Sequence, residues 1–107
     1  MGEIRIRRDE RARVTGLSVR DVDADVAAGM SALHFLRAAT TSLVDYLHVT
    51  VEADAAVPAE LLIDRNDVHL DRELDAVLET LVIGLKMLAE EYPNDLVVEE
   101  ATVGVEV

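Results

Sequence analysis

The segment from Asp71 to Tyr92 constrains the fold more than any other part of the chain. It opens on an acid, runs without proline and stops at Pro93-Asn94, so it reads as a helix over 71–92. Leu74, Val77, Leu78, Leu81, Leu85 and Leu88 recur at the spacing of one helix face. At about 100° per residue, Ala76, Thr80, Ile83 and Met87 fall together on a second face, flanked by Glu73, Glu79, Glu90 and Glu91. A helix with two apolar faces needs cover on both sides. One cover is the rest of the domain. In a chain of 107 residues the other is expected from a second subunit or a partner, which makes Ala76, Thr80, Ile83 and Met87 the candidate interface.

The remaining segments are shorter and more mixed. Residues 3–8 alternate with period two and put Ile4 and Ile6 on one side of a strand. Asp9-Glu10 turns the chain toward a second short strand, Arg11 to Val14, and Gly16 ends the region; neither turn residue is the Gly or Asn that a tight hairpin favours. Ser18 reads as a helix N-cap, with Asp21, Asp23 and Asp25 as first-turn acids. A long helix from about 20 to about 47 follows, carried by Val22, Val26, Met30, Leu33, Leu36, Leu43 and Leu47. Gly29, Ala32 and Ala39 beside that stripe would let another backbone approach closely. Residues 48–53 fit either a short strand or the helix end. Pro58 and Asp64–Asp67 mark a connection, with room for a helical turn at Ala59–Ile63. In the tail, Ala101, Val103, Val105 and Val107 share one face of a last strand. The expected fold is α+β: one domain over 1–107, with two long helices packed on a small, mainly antiparallel sheet made from the N- and C-terminal strands.

Charge bounds the partners. The chain holds 22 acids against 10 bases, a net charge of −12, and Lys86 is its only lysine. Residues 1–19 form an Arg-rich strand or hairpin, whose arginines are expected to pair with the chain's own acids. Residues 20–107 form an acidic body. Such a surface repels nucleic acid and anionic lipid, so no nucleic-acid or membrane partner is expected. The acidity, the near-absence of lysine and the abundance of alanine and valine suggest adaptation to high salt; a basic partner is the competing explanation.

Catalytic signatures are missing. Without cysteine there is no disulfide, zinc–thiolate site or thiol nucleophile. The glycines are scattered, so none cradles a phosphate, and no Gly-x-Ser-x-Gly elbow occurs. His34, Arg37, Thr41, Asp45 and His48 make one polar stripe on the first helix. His34 and His48 lie roughly 21 Å apart along a helix, too far for one metal ion. Asp64–Asp71 resembles a calcium loop only superficially, because Val68 and His69 occupy positions that need an oxygen donor and a glycine. Neither a metal nor another cofactor is expected.

These readings point to a non-catalytic acidic interaction or assembly module, cytoplasmic by default and homodimeric or bound to a protein partner. Two alternatives stand beside it: a small enzyme or ligand-binding domain with an inter-subunit site near His34, Asp45 and His48, and an acidic inhibitor that mimics nucleic-acid charge. One consequence of charge is independent of that choice. Residues 21–107 carry 19 acids against four bases, and their repulsion is least screened at ~0.01 M salt, where the Debye length is ~30 Å. The melting temperature, followed by circular dichroism, is expected to climb steeply from low to molar salt. A flat profile would remove self-repulsion as a force in this fold.

Overall fold

The computed structural model describes residues 1–54, 59–66 and 70–102. The order is β1 (Gly2–Arg8), β2 (Val14–Arg20), α1 (Ala27–Thr41) with a π-helical turn at Ser42–Tyr46, β3 (Val51–Asp54), β4 (Ala59–Ile63), α2 (Asp71–Glu91) and β5 (Leu96–Thr102). The five strands form one sheet in the order β3-β4-β2-β1-β5. Both helices cover the same face, giving a slab 38 × 38 × 20 Å, the thickness of one sheet and one helix layer.

Period-two alternation builds the sheet side of the core. Ile4, Ile6, Leu17, Val19, Leu61, Ile63 and Leu96 point at the helices and are buried. Arg5, Arg7, Arg20 and Glu60 point the other way, into solvent. The helix side is Ala28, Ala32, Leu36, Ala39 and Leu43 from α1 and its π turn, with Leu74, Leu78, Leu81, Val82, Leu85 and Leu88 from α2. Each of the larger side chains contributes about 1.5–3 kcal/mol by leaving water. The main face expected for the 71–92 helix is therefore the face that packs inward.

The α+β class holds, but the sheet is mixed. β5 runs parallel to β1 over its whole length, Gly2↔Leu96 to Arg8↔Thr102, while the other three pairs are antiparallel. The expected sheet of N- and C-terminal strands alone is corrected: residues 51–63 supply two further strands, and Ala59–Ile63 is a strand rather than a helical turn. The 20–47 helix is also corrected. Ser18 lies within β2, Asp21, Asp23 and Asp25 precede the helix, and α1 starts at Ala27 behind Val26, with no acid in its first turn. Val22 still packs at the edge of the core, so the apolar stripe misled by running on through a turn. Val103, Val105 and Val107 lie outside the described residues.

The β1–β2 hairpin forms without Gly or Asn because Asp9 replaces them. Its carboxylate accepts the amide hydrogens of Arg11 and Arg13 (both 2.9 Å) and the Arg13 Nε proton (2.8 Å), and Ala12 takes the left-handed conformation, φ 63°. β2 then runs from Val14, and Gly16 sits inside it under the Arg7 guanidinium, where a Cβ would lie 3.0 Å from Nε. Four of the N-terminal arginines, Arg5, Arg7, Arg8 and Arg13, pair with the chain's own acids. Arg8 reaches Glu79 (2.7 Å) and Glu100 (3.1 Å), and Arg13 reaches Asp71 (3.0 Å). Lys86 (3.0 Å) first, and Arg8 with it, hold the Glu100 carboxyl below its ordinary value. The contribution of Glu100 to stability is thus present above the usual carboxylate range and fades as acid protonates it.

Arg65 is the one buried charge among the described residues. It donates to the Val14 carbonyl (3.3 Å), to Asp71 (3.1 Å) and, very closely, to Asp75. It thereby ties the end of β4 and the start of β2 to the first turns of α2. The two carboxylates are 29% and 44% exposed, whereas the Arg65 side chain is 3% exposed, so loss of the two sides should differ. Asp71→Asn with Asp75→Asn leaves a buried cation uncompensated and should cost about 3–5 kcal/mol. Arg65→Met leaves carboxylates that water can reach and should cost less than about 2 kcal/mol. Urea unfolding of both variants checks the asymmetry, and equal losses would refute it.

Candidate functional site

Two features stand out on the helix layer and at one end of the sheet. The first is the outer face of the helix pair. Ala76 and Thr80 line an apolar groove between α1 and α2 of about 510 Å³, together with Phe35, Ala38, Ser42 and Gly84. Phe35 lies against Gly84, whose missing side chain leaves room for the ring: a Cβ there would sit 3.5 Å from it. Ile83 and Met87 are 58% and 63% exposed, and Met30 and Phe35 are 47% and 41% exposed. The four candidate interface residues thus share one outward face of α2. The expected interface omits the α1 wall, whose Phe35, Ala38 and Ser42 recur at i, i+3 and i+7 of one helix face.

The second feature is the turn from β2 into α1. Asp21 takes the left-handed conformation, φ 57°, rare for a residue with a side chain. The chain then folds back against the first turn of the helix. The Asp23 carboxylate accepts from the Asp25 amide (2.9 Å) and the Asp23 carbonyl from the Val26 amide (3.1 Å). The loop lies so close to α1 that a Cβ on Gly29 would be 2.2 Å from the Asp23 carbonyl oxygen. The close approach expected beside Gly29 is real, but it comes from the chain's own loop. Asp21, Asp23, Asn94 and Asp95, with Val22, Val26, Leu96 and Met1, line a cleft of about 200 Å³ without a basic side chain. The sequence offered these aspartates only as helix-capping acids; that they face Asn94 and Asp95 follows from the parallel pairing of β1 with β5.

The polar stripe does not assemble into a site. His34, Arg37, Thr41, Asp45 and His48 are all exposed, the helix widens at Ser42–Tyr46, and His48 follows it with φ 56°. Among the described residues no group of three His, Asp or Glu side chains is placed to hold a metal ion. Asp64 accepts from the Asn66 amide (2.9 Å) in an Asx turn, while Asp67, Val68 and His69 lie outside the described residues. The Thr15, Thr40 and Thr80 hydroxyls donate to backbone carbonyls of Arg7, Leu36 and Ala76. Among the described residues, no helix is long and apolar enough to cross a membrane.

No family model and no curated protein matches the chain. Solved structures do. The ribosomal processing protease Prp from S. aureus, in complex with a substrate peptide, superposes with a TM-score of 0.80 at 15% identity, over 94% of this chain and 100% of that one. The same protease with a covalently linked product peptide gives 0.79 at 16% identity, with the same coverage. SMU.848 from Streptococcus mutans gives 0.77 at 12% identity over 95% of each chain. These likenesses overturn the expectation of a non-catalytic assembly module. That expectation rests on the absence of catalytic motifs and on the second apolar face of the 71–92 helix, and the same fold is found in a protease solved with a substrate peptide. At such identities the likeness is one of fold: the chain shares the fold of these structures.

Proposed function

We propose that this protease-fold domain takes a peptide segment of a partner protein, and that the cleft beside the 21–26 loop receives it. The carrying observation is the left-handed Asp21 followed by the Gly29 contact, which fixes a carboxylate-lined cleft on a fold whose S. aureus representative holds a substrate peptide. Backbone strain of this kind costs of order 1–3 kcal/mol and clusters at functional sites. A cleft lined by Asp21, Asp23 and Asp95, with no basic side chain among its lining residues, favours a cationic group, such as a Lys or Arg side chain or a peptide amine. The proposal sets this in the cytoplasm. With no cysteine in the chain, any cleavage of the peptide proceeds without a thiol and should be indifferent to thiol-alkylating reagents.

Calorimetric titration with lysine-containing peptides, and mass spectrometry of the same mixtures, tests the reading. Asp21→Asn, Asp23→Asn and Asp95→Asn are each expected to weaken binding roughly twofold to fivefold, and added salt to weaken it further. Binding that ignores all three substitutions, or no binding to any such peptide, overturns the assignment of the cleft.

A second surface favours self-association. Ile83 and Met87 stand 58% and 63% exposed on the helix whose Ala76 and Thr80 line the apolar groove. We infer that Ala76, Thr80, Ile83 and Met87 meet a second copy, for which a two-fold arrangement is the commonest closed form. Because each copy carries −12, the dimer should tighten as salt screens the repulsion. Ile83→Asp should give a folded monomer whose melting temperature no longer rises with protein concentration, since Ile83 makes no part of the inward core. A native monomer at all salt concentrations, seen by sedimentation, sinks this reading.

A further inference from the structure

We propose that the free edge of β5 binds an extended peptide as a sixth strand, with apolar side chains turned toward α2 and basic side chains beside Glu99. This rests on the reading that the chain takes a peptide, and says how the peptide is held.

The sheet has two edges of unequal character. β3 spans four residues, whereas β5 pairs with β1 along all seven of its residues and borders no other strand among the described residues. A long edge strand presents a row of backbone N–H and C=O groups ready to pair with another chain, and extended peptides are commonly recognised in this way. Backbone pairing alone would be indifferent to sequence, so specificity has to come from what flanks the edge.

On the helix side, β5 and the outer flank of α2 enclose a groove of about 540 Å³ walled by Ala89, Pro93 and Val98, with Lys86, Glu90 and Glu100 at its margin. Every second side chain of an added strand would lie over it. On the open side stands Glu99. Its side chain is 59% exposed and its nearest base, Arg5, is 3.8 Å away and already bound closely to Glu3. A basic residue on the added strand would meet this carboxylate across the ladder. The occupant therefore alternates apolar and basic residues.

Position and charge narrow the occupant further. Met1 and Leu96 line both this groove and the acidic cleft, so a strand laid along β5 leads directly into the cleft. A second copy of this chain is restricted in register, because two-fold antiparallel pairing centred on Glu99 or on Glu100 would set that carboxylate against its own copy, and like charges across a ladder destabilise it.

The test uses a synthetic end-capped peptide alternating valine and lysine, with amide hydrogen exchange read by NMR. The expected result is added protection at alternate β5 amides. Methylating every second peptide nitrogen on the pairing edge should abolish it, and Glu99→Lys should weaken binding roughly fivefold or more. Protection confined to residues 21–26 overturns the edge assignment and leaves the cleft reading intact. Protection of β5 with affinity unchanged in Asp21→Asn upholds the edge and removes the cleft. Protection of β5 that appears without peptide and rises with protein concentration means that a second copy occupies the edge, and it overturns the proposal. No binding overturns both readings.

Discussion

The contact between one face of the sheet and one side of each helix is what the rest of the molecule depends on. Ile4, Ile6, Leu17, Val19 and Leu61 are wholly withdrawn from water by Leu43, Leu74, Leu78 and Leu85 across a single interlayer seam. A two-layer domain has only one such seam. Everything outside it, the open sheet face and the outer helix face alike, is left for solvent or for partners. That explains how a small acidic chain keeps Ile83 and Met87 in water while its core is closed.

Electrostatics decides how the seam is sealed at its ends. The chain is strongly acidic, yet the acids nearest the core are the paired ones. Glu79 and Glu100 hold Arg8, Asp9 and Asp71 hold Arg13, and Asp71 and Asp75 hold Arg65. Hydrogen bonding to Glu79 and Glu100 drives the Arg8 guanidinium further toward its charged form, against the burial that opposes it. These pairs join β1, the hairpin turn and the end of β4 to α2. The acids of the 21–26 loop, which make no ion pair among the described residues, gather instead at the opposite end of β2, beside the start of β5.

The fold and the helix groove were legible to different depths. The inward face of α2 was readable because five of its leucines repeat at helical spacing, and a stripe that regular has one use in a small domain. The strands around Ile4 and Ile6 were readable by alternation. α1 was misjudged because Val22 and Val26 happen to continue its apolar period, while the break that matters is a backbone event, the left-handed Asp21. Periodicity carries no information about φ. The hairpin was undervalued because the work usually done by Gly or Asn is done by the Asp9 carboxylate, which reaches back to amides of Arg11 and Arg13. As for function, the absence of catalytic motifs points to assembly, whereas the same fold is found in a protease solved with a substrate peptide.

The sequence by itself determined the α+β class, the inward leucine face of α2, the burial of the strand residues and the exclusion of thiol chemistry. Each follows from residue type and short-range spacing, which are local properties. Only the tertiary structure decided that β5 lies parallel to β1, that Asp21 and Asp23 stand opposite Asn94 and Asp95, and that Arg65 is buried between Asp71 and Asp75. Those juxtapositions join residues far apart in the chain. They are set by which strands the helices can cover at once, a constraint on the whole packed layer that no single segment carries.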